Sequence, residues 1–139
     1  MNIMAFDFGL QRTGVAIASQ VTGVATPLCT LQSINTKPDW EKIAALLKEW
    51  NSNQLVVGLP LHNDGSRSEM TEKAERFGRQ LEGRFALPVS MINEQLSSLE
   101  ASQRLIQSRQ SGRKKKIRKT DIDQLSAAII LETWLTQNA

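Results

Sequence analysis

The chain is 139 residues long and 40% apolar, with 17 lysines and arginines against 14 acids for a formal net charge of +3, which fits one domain with a real hydrophobic core. A lone cysteine, Cys29, excludes an intrachain disulfide and leaves no basis for a cysteine-built zinc site. No apolar run approaches the ~18 residues a membrane span needs, and the N-terminus reaches Asp7 without the basic stretch of a secretory signal, so a soluble protein in a reducing, cytoplasmic setting with no membrane partner is expected.

In chain order, Asn2–Phe8 reads as a strand. Thr13–Ser19 follows after the short Gly9-Leu10-Gln11-Arg12 turn, at hairpin spacing. Ala25–Gln32 reads as a third strand, with Pro27 favouring a sheet edge or a strand start because it has no amide hydrogen to donate. Three strands in succession with short links predict an antiparallel meander. Helical spacing then takes over: Trp40, Ile43, Ala44, Leu47 and Trp50 recur three and four apart. Gln54–Leu59 is a short apolar strand closed by Gly58 and Pro60. The polar, turn-rich loop Leu61-His62-Asn63-Asp64-Gly65-Ser66-Arg67 either caps the next helix through Ser66 or Ser68, or meets a nucleic-acid backbone, with Asn63 as its contact residue. Met70, Ala74, Phe77, Leu81 and Phe85 form a second helical stripe, and Pro88–Ile92 another short strand. Ser97 or Ser98 caps a third helix reaching about Ser108, and Thr120 a final helix reaching about Leu135. The resulting order, β-β-β-α-β-α-β-α-α, predicts an α/β domain: a mixed sheet of three antiparallel strands followed by parallel strands, flanked by helices, without internal repeats or a domain linker over residues 1–139.

The modest net charge conceals an asymmetry. Arg109, Arg113, Lys114, Lys115, Lys116, Arg118 and Lys119 occur with no acid among them, and removing these seven charges from +3 leaves the rest of the chain at −4. An acidic body carrying one basic segment points to a local polyanion contact. Such contacts weaken steeply with salt and position a nucleic acid without reading its sequence.

Three carboxylates stand out. Asp7 ends the apolar run Ile3-Met4-Ala5-Phe6, Glu94 follows Val89-Ser90-Met91-Ile92, and Asp123 opens the apolar final helix. Acids in apolar surroundings are costly unless paired or bound to a metal, and three of them beside a basic segment point to metal-assisted work on phosphates. Each has a plainer alternative. Asp7 is placed to bond backbone amides at the Gly9 turn. Thr120-Asp121-Ile122-Asp123 matches a capping box, with Asp121 a neighbouring candidate ligand. Ser97-Ser98-Leu99-Glu100 matches another, which gives Glu100 a structural task and leaves Glu94 for a site. Arg12 is either a phosphate contact or a solvated turn residue. The single histidine, His62, lies in a polar loop, so no Ser-His-Asp arrangement competes. Trp40, Trp50 and Trp134 fall on helical apolar stripes and read as core rather than as base-stacking platforms. A strand, Asp-x-Gly and a second strand also occur in actin-like ATPases, but this chain is too short for their two lobes and has no Walker-type segment.

The run Asp7-Phe8-Gly9-Leu10-Gln11-Arg12-Thr13-Gly14-Val15-Ala16 resembles the opening motif of the YqgF/RuvX family, an RNase H-like, Holliday-junction-resolvase-like group. Val56-Val57-Gly58-Leu59-Pro60-Leu61 with Asp64-Gly65, then Asn93-Glu94-Gln95-Leu96-Ser97-Ser98, then Asp123 through Leu131 fall in order where that family has its other motifs, so the resemblance spans nearly the whole chain. It implies an RNase H-like nuclease domain in which Asp7, Glu94 and Asp123 are catalytic ligands of two Mg2+ or Mn2+ ions and water is the nucleophile. It also implies a precursor small-subunit (pre-16S) ribosomal RNA as substrate, processed at its 5′ end. Arg12, Asn63, Arg113, Lys114, Lys115 and Lys116 are the expected substrate contacts, and the ribosome or pre-ribosome an expected partner of a monomer or weak dimer. The alternatives are a four-way DNA junction as substrate, or a weakly catalytic nucleic-acid-binding ribosome or transcription factor. The last is motivated by two departures: the family segment reads Asp-Glu-Arg-Leu-Ser-Thr, whereas here Asn93 replaces an acid and Gln95 an arginine, and an amide cannot clamp a phosphate as a guanidinium does.

Overall fold

Ile3-Met4-Ala5-Phe6 is apolar without alternation, the pattern of a strand covered on both faces. The computed structural model describes residues 2–62, 64–93 and 119–138, with backbone alone for 119 and 120, and in it this run is the centre of a five-stranded sheet. The strands are β1 (Asn2–Asp7), β2 (Arg12–Ser19), β3 (Ala25–Gln32), β4 (Ser52–Leu59) and β5 (Val89–Asn93), in spatial order β3-β2-β1-β4-β5. β1 pairs antiparallel with β2, and β2 with β3. β1 pairs parallel with β4, and β4 with β5, as the sequence predicts. β3 is an edge strand, and Pro27 sits beside the register shift between Val15 and Ala16, the two settings in which a residue without an amide hydrogen is found in a sheet.

Successive strand residues point to opposite faces, and each face has its own cover. Met4, Phe6, Val15, Ile17, Leu55 and Val57 pack with Ile43 and Leu47 of α1 (Trp40–Glu49) and with Phe77 and Leu81 of α2 (Glu69–Phe85). Phe6 and Phe77 meet edge to face at 5.6 Å, and truncating a ring buried like Phe77 to alanine costs roughly 3–5 kcal/mol. The other face carries smaller residues. Ile3, Ala5, Ala16, Ala18 and Val56 pack against Ala127, Ala128, Ile130 and Leu131 of the final helix, α3 (Lys119–Gln137). Alanines on both partners let this helix ride close to the strands, and it lies across β1, β2 and β3.

Both capped helices start on local side-chain chemistry. Asp39 accepts the Lys42 amide at 3.2 Å ahead of α1. Ser68, one of the two expected caps, forms a reciprocal box with Thr71 ahead of α2. Thr71 also donates its hydroxyl to the Pro60 carbonyl, tying the start of α2 to the end of β4. α3 runs from Lys119; the expected cap at Thr120 rests on a side chain outside the described residues. The expected helix from Ser97 or Ser98 to about Ser108 lies outside the described residues. Among the described residues no helix is long and apolar enough to cross a membrane.

Candidate active site

Asp7 is the last residue of β1, and its cross-strand partner in β2 is Gly14. Directly opposed residues of an antiparallel pair project to one face. Asp7, two residues on from Ala5, therefore projects on the α3 side of the sheet. A Cβ placed on Gly14 would lie 1.9 Å from the Asp123 carbonyl oxygen and 2.3 Å from its carbon. Gly14 is thus the point where the N-terminal part of α3, at Asp123 and Gln124, rests on β2, and the missing side chain is what lets it rest there. Asp7 and Asp123, 116 positions apart in a chain of 139, are brought to one face across that contact.

Arg12 extends the same alternation: residues 12, 14, 16 and 18 share the α3 face of β2. Its Nε donates to Asp123 Oδ2 at 2.7 Å. This ion pair is a role for Arg12 that neither reading of it included. The Asp123 carboxylate is thus engaged through Oδ2 by a strand. The two side chains keep 28% and 22% of their exposure, so the pair is worth at most about 1 kcal/mol to the fold. Its effect is orientation. Arg12→Ala is accordingly expected to lower stability by less than about 1 kcal/mol in a denaturant titration.

The third sequence candidate, Glu94, lies outside the described residues. Its chain neighbour Asn93 closes β5 and pairs with Leu59 of β4. β1, β4 and β5 run parallel, so Asp7 and Asn93 stand at the same, carboxyl, end of the sheet, where open α/β sheets place their sites. Ile92 belongs to the α3 face, so Asn93 projects to the opposite one. The replacement of an acid by Asn93 therefore does not remove a carboxylate from the Asp7–Asp123 side. Asn63, Arg113, Lys114, Lys115, Lys116 and Gln95 also lie outside the described residues. Among the described residues no three His, Cys, Asp or Glu side chains form a metal-holding cluster, and Asp7 and Asp123 are the two ligand candidates the fold brings together.

The loop from Leu61 to Arg67 is built by its own side chains. Leu61 and Arg67 form a β-bridge, the Ser66 amide donates to Asp64 Oδ1 at 2.8 Å, and Arg67 pairs with Glu75 of α2. Ser66, through its hydroxyl and then its amide, holds the Asp64 carboxyl below the usual carboxylate range, and Arg67 does the same for Glu75. Asp64 is exposed and the Glu75 side chain keeps 29% of its exposure, and these bonds shape the loop rather than a reactive centre.

Two features were not anticipated from sequence. The contact at Gly14 had a visible signal, a glycine interrupting an otherwise apolar strand, but no indication of what approaches it. The Arg12–Asp123 pair had none, since nothing local links residues 12 and 123.

The chain matches the family described as "RuvX: Holliday junction resolvase" over residues 1–137. It is 46% identical over 137 residues to a protein of Pseudomonas paraeruginosa named "Putative pre-16S rRNA nuclease", covering 98% of this chain and 92% of that one. A protein of Azotobacter vinelandii bearing the same name is 45% identical over 136 residues, covering 97% and 93%. Among solved structures, the fowlpox virus resolvase in complex with Holliday junction DNA superposes with a TM-score of 0.60 at 15% identity, covering 99% of both chains. The Thermus thermophilus RuvC complex with a Holliday junction superposes at 0.58 and 12% identity, covering 99% and 95%. At such identities the likeness is one of fold, that of RNase H-like resolvases.

Proposed function

The chain belongs to the RuvX family, and from that premise we propose that it is a divalent-metal-dependent nuclease that processes the 5′ end of precursor 16S ribosomal RNA. The observation that carries the chemistry is the convergence of Asp7 and Asp123 on one face across Gly14. The names borne by relatives at 45–46% identity support the substrate.

Carboxylate oxygens at the mouth of a sheet are hard donors of the kind Mg2+ and Mn2+ prefer. Asp7 and Asp123 fit such an ion, with Glu94 the proposed third ligand. When bound, the metal would lower the pKa of an attacking water and stabilise the leaving oxygen. Arg12 holds Asp123 through Nε, which leaves the Nη edge of its guanidinium to turn toward a substrate phosphate. Asn63, Arg113 and Lys114–Lys116 are the proposed contacts to the RNA backbone beyond the cut. Replacing Lys114, Lys115 and Lys116 by alanine is expected to weaken RNA binding and to reduce the slope of log K against log salt by about 2, at ~0.7 per single-strand phosphate contact. Anisotropy titrations at several salt concentrations read both.

The test of the reading is manganese-dependent cleavage of a precursor 16S RNA fragment beside a four-way DNA junction. RNA cut near its 5′ end while the junction stays intact is the expected result. Junction cleavage alone would move the substrate to DNA. Binding of both without cleavage would leave a nucleic-acid-binding factor on a nuclease fold.

A further inference from the structure

A second candidate surface lies on the opposite side of the sheet from Asp7. Phe8 and Leu10, just past β1, form one wall of a cavity of about 600 Å³ that runs along α2. Phe77 stacks between Phe8, at 4.7 Å, and Trp40, at 5.6 Å. The Arg84 guanidinium carbon lies 4.4 Å from the Trp40 ring centroid. The lining carries four cations, Lys37, Lys73, Arg76 and Arg84, and no acid. Lys73, Arg76, Gln80 and Arg84 follow one another at three and four residues, a single stripe of α2, and Lys73 to Arg84 spans about 16 Å of helix.

The charge is not neutralised locally. Among the described residues Lys37 and Arg76 make no ion pair, and Lys73 reaches only Glu69, at 3.8 Å with that acid 86% exposed. Lys37 is held by a tight turn, Ile34 to Lys37, bonded both ways at 2.8 and 3.0 Å. Its central residues Asn35 and Thr36 both have positive φ, 51° and 65°, strain of the sort that collects at binding sites.

We infer that this groove binds a single-stranded stretch of the nucleic acid next to the cut, with phosphates along Lys37, Lys73 and Arg76 and a base against Phe8 and Leu10. The inference rests on the nuclease reading for its partner. The length of the cationic stripe favours a strand over a single nucleotide, and the position of Phe8, one residue from Asp7, lets a strand leave the carboxylate face around the Gly9–Gln11 turn.

The test needs no metal, so it stands apart from cleavage. A labelled uridine hexanucleotide is titrated in EDTA against wild type and Lys37→Ala/Arg76→Ala; both residues are exposed, and a thermal melt verifies the fold. Affinity is expected to fall five- to tenfold, with a salt slope shallower by about 1.4 for two lost phosphate contacts. A 4-thiouridine hexamer is expected to crosslink to the peptide carrying Phe8 and Leu10. Unchanged affinity, or crosslinks confined to residues 109–119, would overturn the inference. So would uridine monophosphate binding as tightly as the hexamer and being lost in the same variant, since that assigns the groove to a free nucleotide. Hexamer binding that depends on Lys37 and Arg76 in a protein without rRNA cleavage would retain the groove and remove the nuclease reading.

Discussion

Asp7→Asn protein is expected to fold, to bind RNA with wild-type affinity in EDTA, and to cleave on the order of a thousandfold more slowly. The amide keeps the size of the carboxyl and removes its charge, so what it loses is a hard anionic ligand. Metal stabilisation of transition-state charge is worth several kcal/mol, and each ~1.4 kcal/mol is a factor of ten in rate. The competing account, in which Asp7 only bonds amides at the Gly9 turn, makes the opposite forecast. The variant would melt earlier, and its folded fraction would cleave at the wild-type rate. Single-turnover rates beside a thermal melt separate the two, and normal cleavage by folded Asp7→Asn protein would end the carboxylate mechanism.

Gly14→Ala is the second large effect. Its new methyl carbon would lie 1.9 Å from the Asp123 carbonyl oxygen and 3.0 Å from the Gln124 amide nitrogen. These are backbone atoms that no rotamer change moves, so α3 must shift as a body against the alanines beneath it. Overpacking of this kind costs roughly 1–3 kcal/mol and occasionally more. The displacement carries Asp123 away from Asp7, and misplacement by about 1 Å costs on the order of a hundredfold in rate. Both stability and cleavage per folded molecule are therefore expected to drop. Gly83→Ala is the control: a methyl there meets nothing within 4 Å, and alanine in an exposed helix is expected to add about 0.5–1 kcal/mol. A Gly14→Ala protein with wild-type melting and rate would show that α3 does not rest on β2 as described.

The groove along α2 shows how a pattern can be read at the wrong level. Trp40 of α1 and Phe77 of α2 each fall on a helical apolar stripe, and they do pack against the core, as expected. α2 also carries Lys73, Arg76 and Arg84 on one stripe, and that spacing was as legible as the apolar one. What it lacked was a floor. Only when Phe8 and Leu10 come off the end of β1 and meet α2 does a charged helix face become a cavity.

Most of the framework followed from near neighbours along the chain. Strand runs, helical stripes, the edge preference of Pro27 and the Ser68 cap depend on interactions within a few residues, and those are written locally. Asp7 and Asp123 were legible as acids in apolar settings for the same reason. Which face each element shows, and to what, is a different kind of fact. That Asp7 opposes Gly14, that Gly14 receives the backbone of Asp123, and that Arg12 reaches a carboxylate 111 residues away follow from strand register and from how closely an alanine-lined helix can approach a sheet. By itself, then, the sequence determined the described strands and helices, their order and the candidate acids; the tertiary structure alone decided that two of those acids share a face and that an arginine orients one of them, because contacts between distant residues are set by packing and carry no local signal.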